Sequence, residues 1–270
     1  MKEQAPESAP ASDTVATNKL AEFVRARRSS ESRKIQPLPG KLTFSNLEEL
    51  TNRPAPTPEE QAAQAKRALA REQAARDGAV AMLVAQAGRR YASATFLNFV
   101  GGPKQAAAVE YVESWCSAML DAWEFSGLLL YGPVGTGKDH LAIAACRQLI
   151  LERGKSVAWI NGQAWFGEIR DSMDSDDRTE AAIIRRLSSP DLLVVSDPLP
   201  PFGDLTQHQA TMLYRAVDAR YSQAKPTICT VNVADDEEAE RRMGVATWDR
   251  LCHDAWKLNC SWPSFRKPRA

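Results

Sequence analysis

The chain has 270 residues, 44% hydrophobic and 25% charged, a balance that excludes a wholly disordered or collagen-like chain. Its 34 Lys and Arg are matched by 34 Asp and Glu, with residues 1–90 mildly basic (15 against 11) and residues 91–270 mildly acidic (19 against 23). Neither half is a broad electrostatic target for nucleic acid, so any DNA contact needs a local patch or several subunits. No apolar run approaches the ~20 residues that span a bilayer, and the stretch MKEQAPESAP lacks the apolar segment of a secretory signal. Five cysteines (Cys116, Cys146, Cys229, Cys252 and Cys260) include no Cys-x-x-Cys pair. They read as reduced thiols of a cytoplasmic protein, and Cys252-His253 with Cys260 fits no common zinc spacing.

Residues 1–57 are rich in Pro, Ser, Ala and charge, and a disordered tail is expected there. Within it, 17–28 can form a short helix with Leu20, Phe23 and Val24 on one side. Residues 58–90 read as a helical arm. Thr57 stands at the N-cap, Pro58 at the first helical position and Glu60 at the third. The Ala-rich run to Arg76 has high helix propensity and few large apolar residues, as suits a solvated or partner-facing helix. Residues 79–87 are apolar enough to pack onto the globular part of the chain. From Tyr91 to the end of the chain short apolar strands alternate with helices. Helices are predicted over 103–122, 137–152, 163–173, 179–187, 206–222, 235–243 and 245–256. Strands are predicted over 128–131, 157–160, 192–196, 227–231 and 258–261. Strands separated by helices of this length imply right-handed crossovers and a parallel sheet with helices on both faces.

The strongest motif is Gly132-Pro133-Val134-Gly135-Thr136-Gly137-Lys138, placed between a buried strand and a helix. Its glycines let the backbone curl so that successive N–H groups and the helix N-terminus face phosphate oxygens. Lys138 is positioned to reach the β and γ phosphates. The next residue in such loops is normally Ser or Thr, whose hydroxyl binds Mg²⁺; here it is Asp139. A carboxylate can ligate Mg²⁺, but beside a triphosphate at ~4 Å one like-charge pair costs about 4 kcal/mol unless the metal screens it. A second acidic site is expected at the end of the strand Asp191-Leu-Leu-Val-Val-Ser196-Asp197, where P-loop ATPases hold Mg²⁺. Only one acid stands there, preceded by Ser196. Together the two departures point to weak or lost hydrolysis with nucleotide binding retained.

In their order these motifs resemble the AAA+ ATPases of the DnaC/IstB type, the bacterial helicase loaders and transposition helper ATPases, over about residues 79–267. The segment from Arg90-Tyr91 to Phe99 resembles the family's lead-in. Gly127 to Ala142 resembles its Walker A, with Asp139 where the family has Thr. Residues 191–197 resemble its Walker B strand, with Ser196 on the metal-site Asp and Asp197 on the catalytic acid. Asn232 falls on sensor 1, Arg250 on the arginine finger, and Arg266, in Pro263-Ser264-Phe265-Arg266, on sensor 2. The resemblance implies a P-loop AAA+ three-layer sandwich that binds ATP and Mg²⁺. Gly132 to His140 would hold the nucleotide, Asp139 and Asp197 the metal, and Asp197, Asn232, Arg250 and Arg266 the catalytic roles. It implies a homo-oligomer in which Arg250 acts across a subunit boundary, with the N-terminal arm gripping a replicative helicase or a transposase. In the family, the segment at 163–173 helps line a single-stranded DNA channel. Here it carries one basic residue, Arg170, followed by Asp171, Asp174, Asp176 and Asp177, so any DNA contact is expected to be weak. The bland readings remain open: Asn232 as a turn former, Arg250 as a solvated helix residue, His140, Trp159, Trp165 and Trp248 as packing residues. A non-hydrolysing nucleotide-binding scaffold is the competing class. A small-molecule kinase is opposed by Asn232 and the closing arginine.

Overall fold

The computed structural model describes residues 56–123, 125–172 and 179–266. Residues 1–55 of the tail expected over 1–57, the short helix at 17–28, Met173 and the acids Asp174, Asp176 and Asp177 lie outside the described residues. Contacts divide the chain into two units, Met1–Glu60 and Gln61–Ala270. In the first, Thr57 and Glu60 form the reciprocal cap their spacing predicts. The Thr57 N–H donates to Glu60 Oε2 at 2.8 Å and the Glu60 N–H donates to Thr57 Oγ1 at 3.3 Å.

The helix begun there, α1 (Pro58–Ala87), is solvated over most of its length, because its Ala-, Gln- and Arg-rich sequence offers no continuous apolar stripe. Only its last turns enter the core, with Leu83 buried and Ala79, Val80 and Ala87 packed beside it. Two single-turn 3₁₀ segments, Arg89–Tyr91 and Phe96–Asn98, lead into α2 (Pro103–Asp121). Then β1 (Leu128–Tyr131), α3 (Lys138–Arg153), β2 (Val157–Asn161), α4 (Gly162–Ser172), α5 (Glu180–Ser188) and β3 (Leu192–Ser196) follow. The rest is α6 (Gln207–Tyr221), β4 (Thr227–Val231), α7 (Asp236–Met243), α8 (Val245–Cys252) and β5 (Trp256–Asn259).

The five strands form one parallel sheet in the order β2-β3-β4-β1-β5. The two-residue period of the strands sorts their side chains into two cores. Leu128, Leu130, Trp159, Leu192, Val194 and Ile228 face α1, α2 and α3. Leu129, Ile160, Leu193, Val195, Cys229 and Val231 face α4 to α8. Trp165 and Trp248 are fully buried in the second core and Trp159 is buried in the first, so all three are packing residues. The edge strand β2 is partly covered by α1, whose Gln86 Oε1 accepts the Trp159 N–H at 2.9 Å. Buried Arg220 donates to the carbonyls of Leu187, Pro190, Asp191 and Pro226 and to the Thr227 hydroxyl, fixing the starts of β3 and β4 against each other.

The junction between the last helix and the last strand differs most from expectation. The helix predicted over 245–256 stops at Cys252, and the strand predicted over 258–261 begins at Trp256. Asp254 adopts a left-handed φ of 53°, and the Trp256 N–H then donates to the Gly127 carbonyl at 2.9 Å. Pairing of Trp256 opposite Leu128 at the sheet edge wins over helical spacing.

Candidate nucleotide site

The chain reverses across the sheet between β1 and its neighbours, so the C-terminal ends of β1, β3 and β4 open into one crevice, where ligands of open α/β sheets bind. The loop after β1 turns through Gly135 and Gly137, at φ 83° and 87°, values that a side chain rarely adopts. A Cβ on Gly137 would lie 2.5 Å from the ring of Phe99, and one on Gly135 would lie 2.0 Å from Ser264 Oγ. The loop is therefore clasped from two sides. The closing segment adds two bonds: the Trp262 indole donates to the Thr136 carbonyl at 2.8 Å, and the Phe265 N–H donates to the Gly135 carbonyl at 2.9 Å.

The crevice is a cavity of about 400 Å³. Val134, Gly135, Gly137, Lys138, Asp139 and His140 line it from the loop and the start of α3. Asp197, Asn232 and Arg266 line it from β3, from the residue after β4 and from the closing segment. Gly132, Pro133 and Thr136 belong to the loop but shape its back; Thr136 is fully buried and donates to the Pro133 carbonyl. Tyr91, Phe99, Val100 and Phe265 give the mouth an aromatic and apolar side. Phe99 meets His140 and Phe265 edge-on, at centroid distances of 5.2 and 5.4 Å. His140 Nε2 donates to the Thr95 carbonyl at 2.9 Å, so this ring fastens the lead-in to α3.

Lys138 is 6% exposed, and its ammonium donates to the carbonyls of Gly132 and Pro133, both at 2.8 Å. Burial lowers its pKa from the ordinary lysine value. Asp197 takes a left-handed φ of 46° just after β3, a conformation that Asp adopts more readily than most side chains. Its N–H donates to the Thr230 carbonyl at 2.8 Å, and the nearby Asn232 side chain favours its charged form. Burial, and next the nearby charge of Asp139, raises its pKa.

Asp139 is the centre of a network the sequence does not announce. Its Oδ1 accepts from Ser196 Oγ at 3.0 Å and from Thr230 Oγ1 at 2.6 Å, and its Oδ2 accepts from the Tyr91 hydroxyl at 3.1 Å. Burial, and next the Asp139 charge, pushes the Tyr91 pKa up to about 12. Tyr91 and Thr230 are the site residues that sequence reasoning passes over. Strand pairing of Ser196 opposite Thr230 is the signal that locates Thr230.

Arg250 stands apart. It does not line the cavity: its Nε donates to Asp218 Oδ1 at 2.7 Å, and its guanidinium lies 4.8 Å from the Tyr214 ring centre. Arg170 is exposed and faces Asp171 at 3.8 Å. Among the described residues no three His, Cys, Asp or Glu side chains gather as a metal site, and Cys252, His253 and Cys260 do not form one.

A parallel sheet carrying a glycine loop and lysine after β1, with an acid after β3, defines a P-loop protein of the AAA+ fold. The fold is shared with the crystal structure of the DnaC helicase loader, at a TM-score of 0.56 and 19% identity over 64% of this chain and 99% of that one. It is shared also with AMPPCP-bound DnaA from Aquifex aeolicus, at a TM-score of 0.51 and 19% identity over 62% of this chain and 50% of that one. The replicative helicase loader DnaC of Escherichia coli K12 is 32% identical over 151 residues, 53% of this chain and 59% of the loader. The chain thus spans under two thirds of the length of the loader it matches. The profile of the IstB-like ATP binding proteins matches residues 61–270, and the chain belongs to that family.

Proposed function

We propose that this chain is an ATP-binding helicase loader of the DnaC type, which assembles side by side with nucleotide and delivers a replicative helicase to DNA. The observation that carries the reading is the convergence of Lys138, Asp139, Asp197, Asn232 and Arg266 on one cavity, in a chain 32% identical to a replicative helicase loader. Curled backbone N–H groups and Lys138 receive the phosphates, and the aromatic mouth accepts the base. The oxygens at the start of α3 and at the ends of β3 and β4 fit Mg²⁺: two carboxylates, Asp139 and Asp197, with the Ser196 and Thr230 hydroxyls, are all hard oxygens. Bound there, Mg²⁺ would supply charge neutralisation to the phosphates.

Asp197 and Asn232 orient water at the γ phosphate, and Arg266 faces it from the same subunit. Arg250, outside the cavity and presented on α8, serves a neighbouring subunit's nucleotide. With a carboxylate in the loop and a serine in β3, turnover is slow and the nucleotide acts chiefly as an assembly signal. Residues 1–90 carry the contact to the helicase, single-stranded DNA is gripped weakly, and the site of action is the cytoplasm. A second reading follows from the resemblance to the IstB type, the namesake of the matched family: a transposition helper whose arm holds a transposase.

The test is size-exclusion chromatography of the full chain with the replicative helicase of the same cell, with and without Mg-ATP. Co-migration with the helicase is the expected result. Co-migration with a transposase and not with the helicase selects the second reading, and binding of neither refutes both.

A further inference from the structure

In a P-loop of the usual kind the hydroxyl follows the lysine and the carboxylate ends the strand. Here the same two groups face each other with places exchanged: the carboxylate is on α3 and the hydroxyl on β3, joined by the 3.0 Å bond from Ser196 Oγ to Asp139 Oδ1. We propose that this exchange makes the site accept nucleotide and divalent cation only as a pair, with Asp139 as a direct metal ligand and as a charge that excludes metal-free nucleoside triphosphate. The proposal rests on the nucleotide reading above and assigns its regulation.

Three observations carry it. First, the donors to Asp139 are all neutral hydroxyls, those of Ser196, Thr230 and Tyr91. They hold the carboxylate in place without cancelling its charge. Among the described residues no ion pair involves Asp139 or Asp197; before phosphate enters, the Lys138 ammonium donates to the carbonyls of Gly132 and Pro133. Second, Asp197 lines the same cavity as Asp139. A triphosphate entering this cavity without a cation meets Arg90, Lys138 and Arg266, but also two carboxylates beside its own negative charge, in a space partly shielded from water. Third, two carboxylates are too few to cage a cation, and among the described residues no third His, Cys, Asp or Glu gathers with them as a metal group, the His140 ring being engaged with the Thr95 carbonyl. Mg²⁺ is commonly held by one or two carboxylates completed by substrate phosphates. Each ligand thus needs the other: the phosphates need the metal to enter, and the metal needs the phosphates to stay. Such coupling is reciprocal, so the factor by which metal tightens nucleotide equals the factor by which nucleotide tightens metal.

The geometry explains how Asp139 can do this without rearrangement. Hydroxyl groups rotate, so Ser196 and Thr230 can turn lone pairs toward a cation that displaces their donated hydrogens. The carboxylate stays where α3 and the Tyr91 bond hold it.

The test titrates a fluorescent ATP analogue onto the full chain, once with excess Mg²⁺ and once with EDTA. Wild type is expected to lose roughly 100-fold in affinity without metal, toward the upper end of ordinary coupling. Asp139→Thr, and the near-isosteric Asp139→Asn, are expected to shrink that ratio to about tenfold or less, chiefly by binding better in EDTA. Electron spin resonance of Mn²⁺ reads the reciprocal effect: Mn²⁺ alone binds weakly to wild type, and nucleotide tightens it by the same factor. Asp139→Thr with Ser196→Asp returns each group to the usual side and is expected to raise ATP turnover above wild type. A wild-type ratio near one, or a ratio unchanged in both Asp139 variants, overturns the proposal while leaving nucleotide binding standing. No binding in either buffer overturns both.

Discussion

Gly137→Ala separates a glycine that shapes the phosphate loop from one that merely occupies it. The residue sits at φ 87°, where an L side chain meets its own carbonyl, at a cost of about 1–2 kcal/mol. The new methyl would also stand 2.5 Å from Phe99 Cε2 and 3.4 Å from Phe265 Cε2. Phe99 is buried and wedged between His140, Trp262 and Phe265, so it cannot swing away without opening that cluster. Overpacking of this kind costs about 1–3 kcal/mol, for a total of about 2–5 kcal/mol. In a unit of this size each kcal/mol shifts Tm by about 2–4 °C, so a fall of roughly 10 °C is expected by differential scanning fluorimetry. Nucleotide affinity should fall with it, because the N–H groups of the loop move off their common focus. Measured against Phe99→Ala alone, which has its own cavity cost, adding Gly137→Ala should cost only the backbone part. A Gly137→Ala protein with unchanged Tm and unchanged nucleotide affinity would refute the reasoning about both the loop and the clasp.

Asp197 has a raised folded-state pKa, caused first by burial and then by Asp139. The native state therefore holds that proton more tightly, a contribution fully present below the unfolded value and lost as pH rises through the folded one. Asp197→Asn removes this titration, so the difference in Tm, variant minus wild type, should move in the variant's favour as pH rises from about 4 to 7. A pH-independent difference would count against the assignment. Arg250→Ala should abolish the ATP-promoted increase in sedimentation coefficient while leaving nucleotide binding by the monomer intact. A wild type that stays monomeric with ATP and single-stranded DNA present removes the trans role and leaves Arg250 as the partner of Asp218.

Much of the scaffold was legible because short apolar runs bounded by Gly, Pro and polar residues have little alternative to buried parallel strands. Leu128–Tyr131, Leu192–Ser196 and Thr227–Val231 appear where the pattern places them. The break between α8 and β5 was hidden because no Gly or Pro marks it. Asp254 makes the turn instead, as a residue type that tolerates left-handed backbone. In the site, the glycine loop, Lys138 and Asp197 announce themselves by motif. Tyr91 and Thr230 do not, because their bonds to Asp139 cross 48 and 91 residues and exist only through strand register and the 3₁₀ lead-in. Ser196 shows the difference most clearly. By sequence it is a missing acid; in the fold it donates to the acid that has moved to α3.

Binding of nucleoside triphosphate by the loop from Gly132 to Lys138 underlies every other role assigned to the site, and one titration tests it most directly. A fluorescent ATP analogue is added, with excess Mg²⁺, to wild type and to Lys138→Ala. Removing the buried ammonium forfeits charge-assisted bonds to phosphate worth about 1.5–3 kcal/mol, so the variant should bind roughly 10- to 150-fold more weakly. Equal affinities for the two proteins would contradict the assignment of the site.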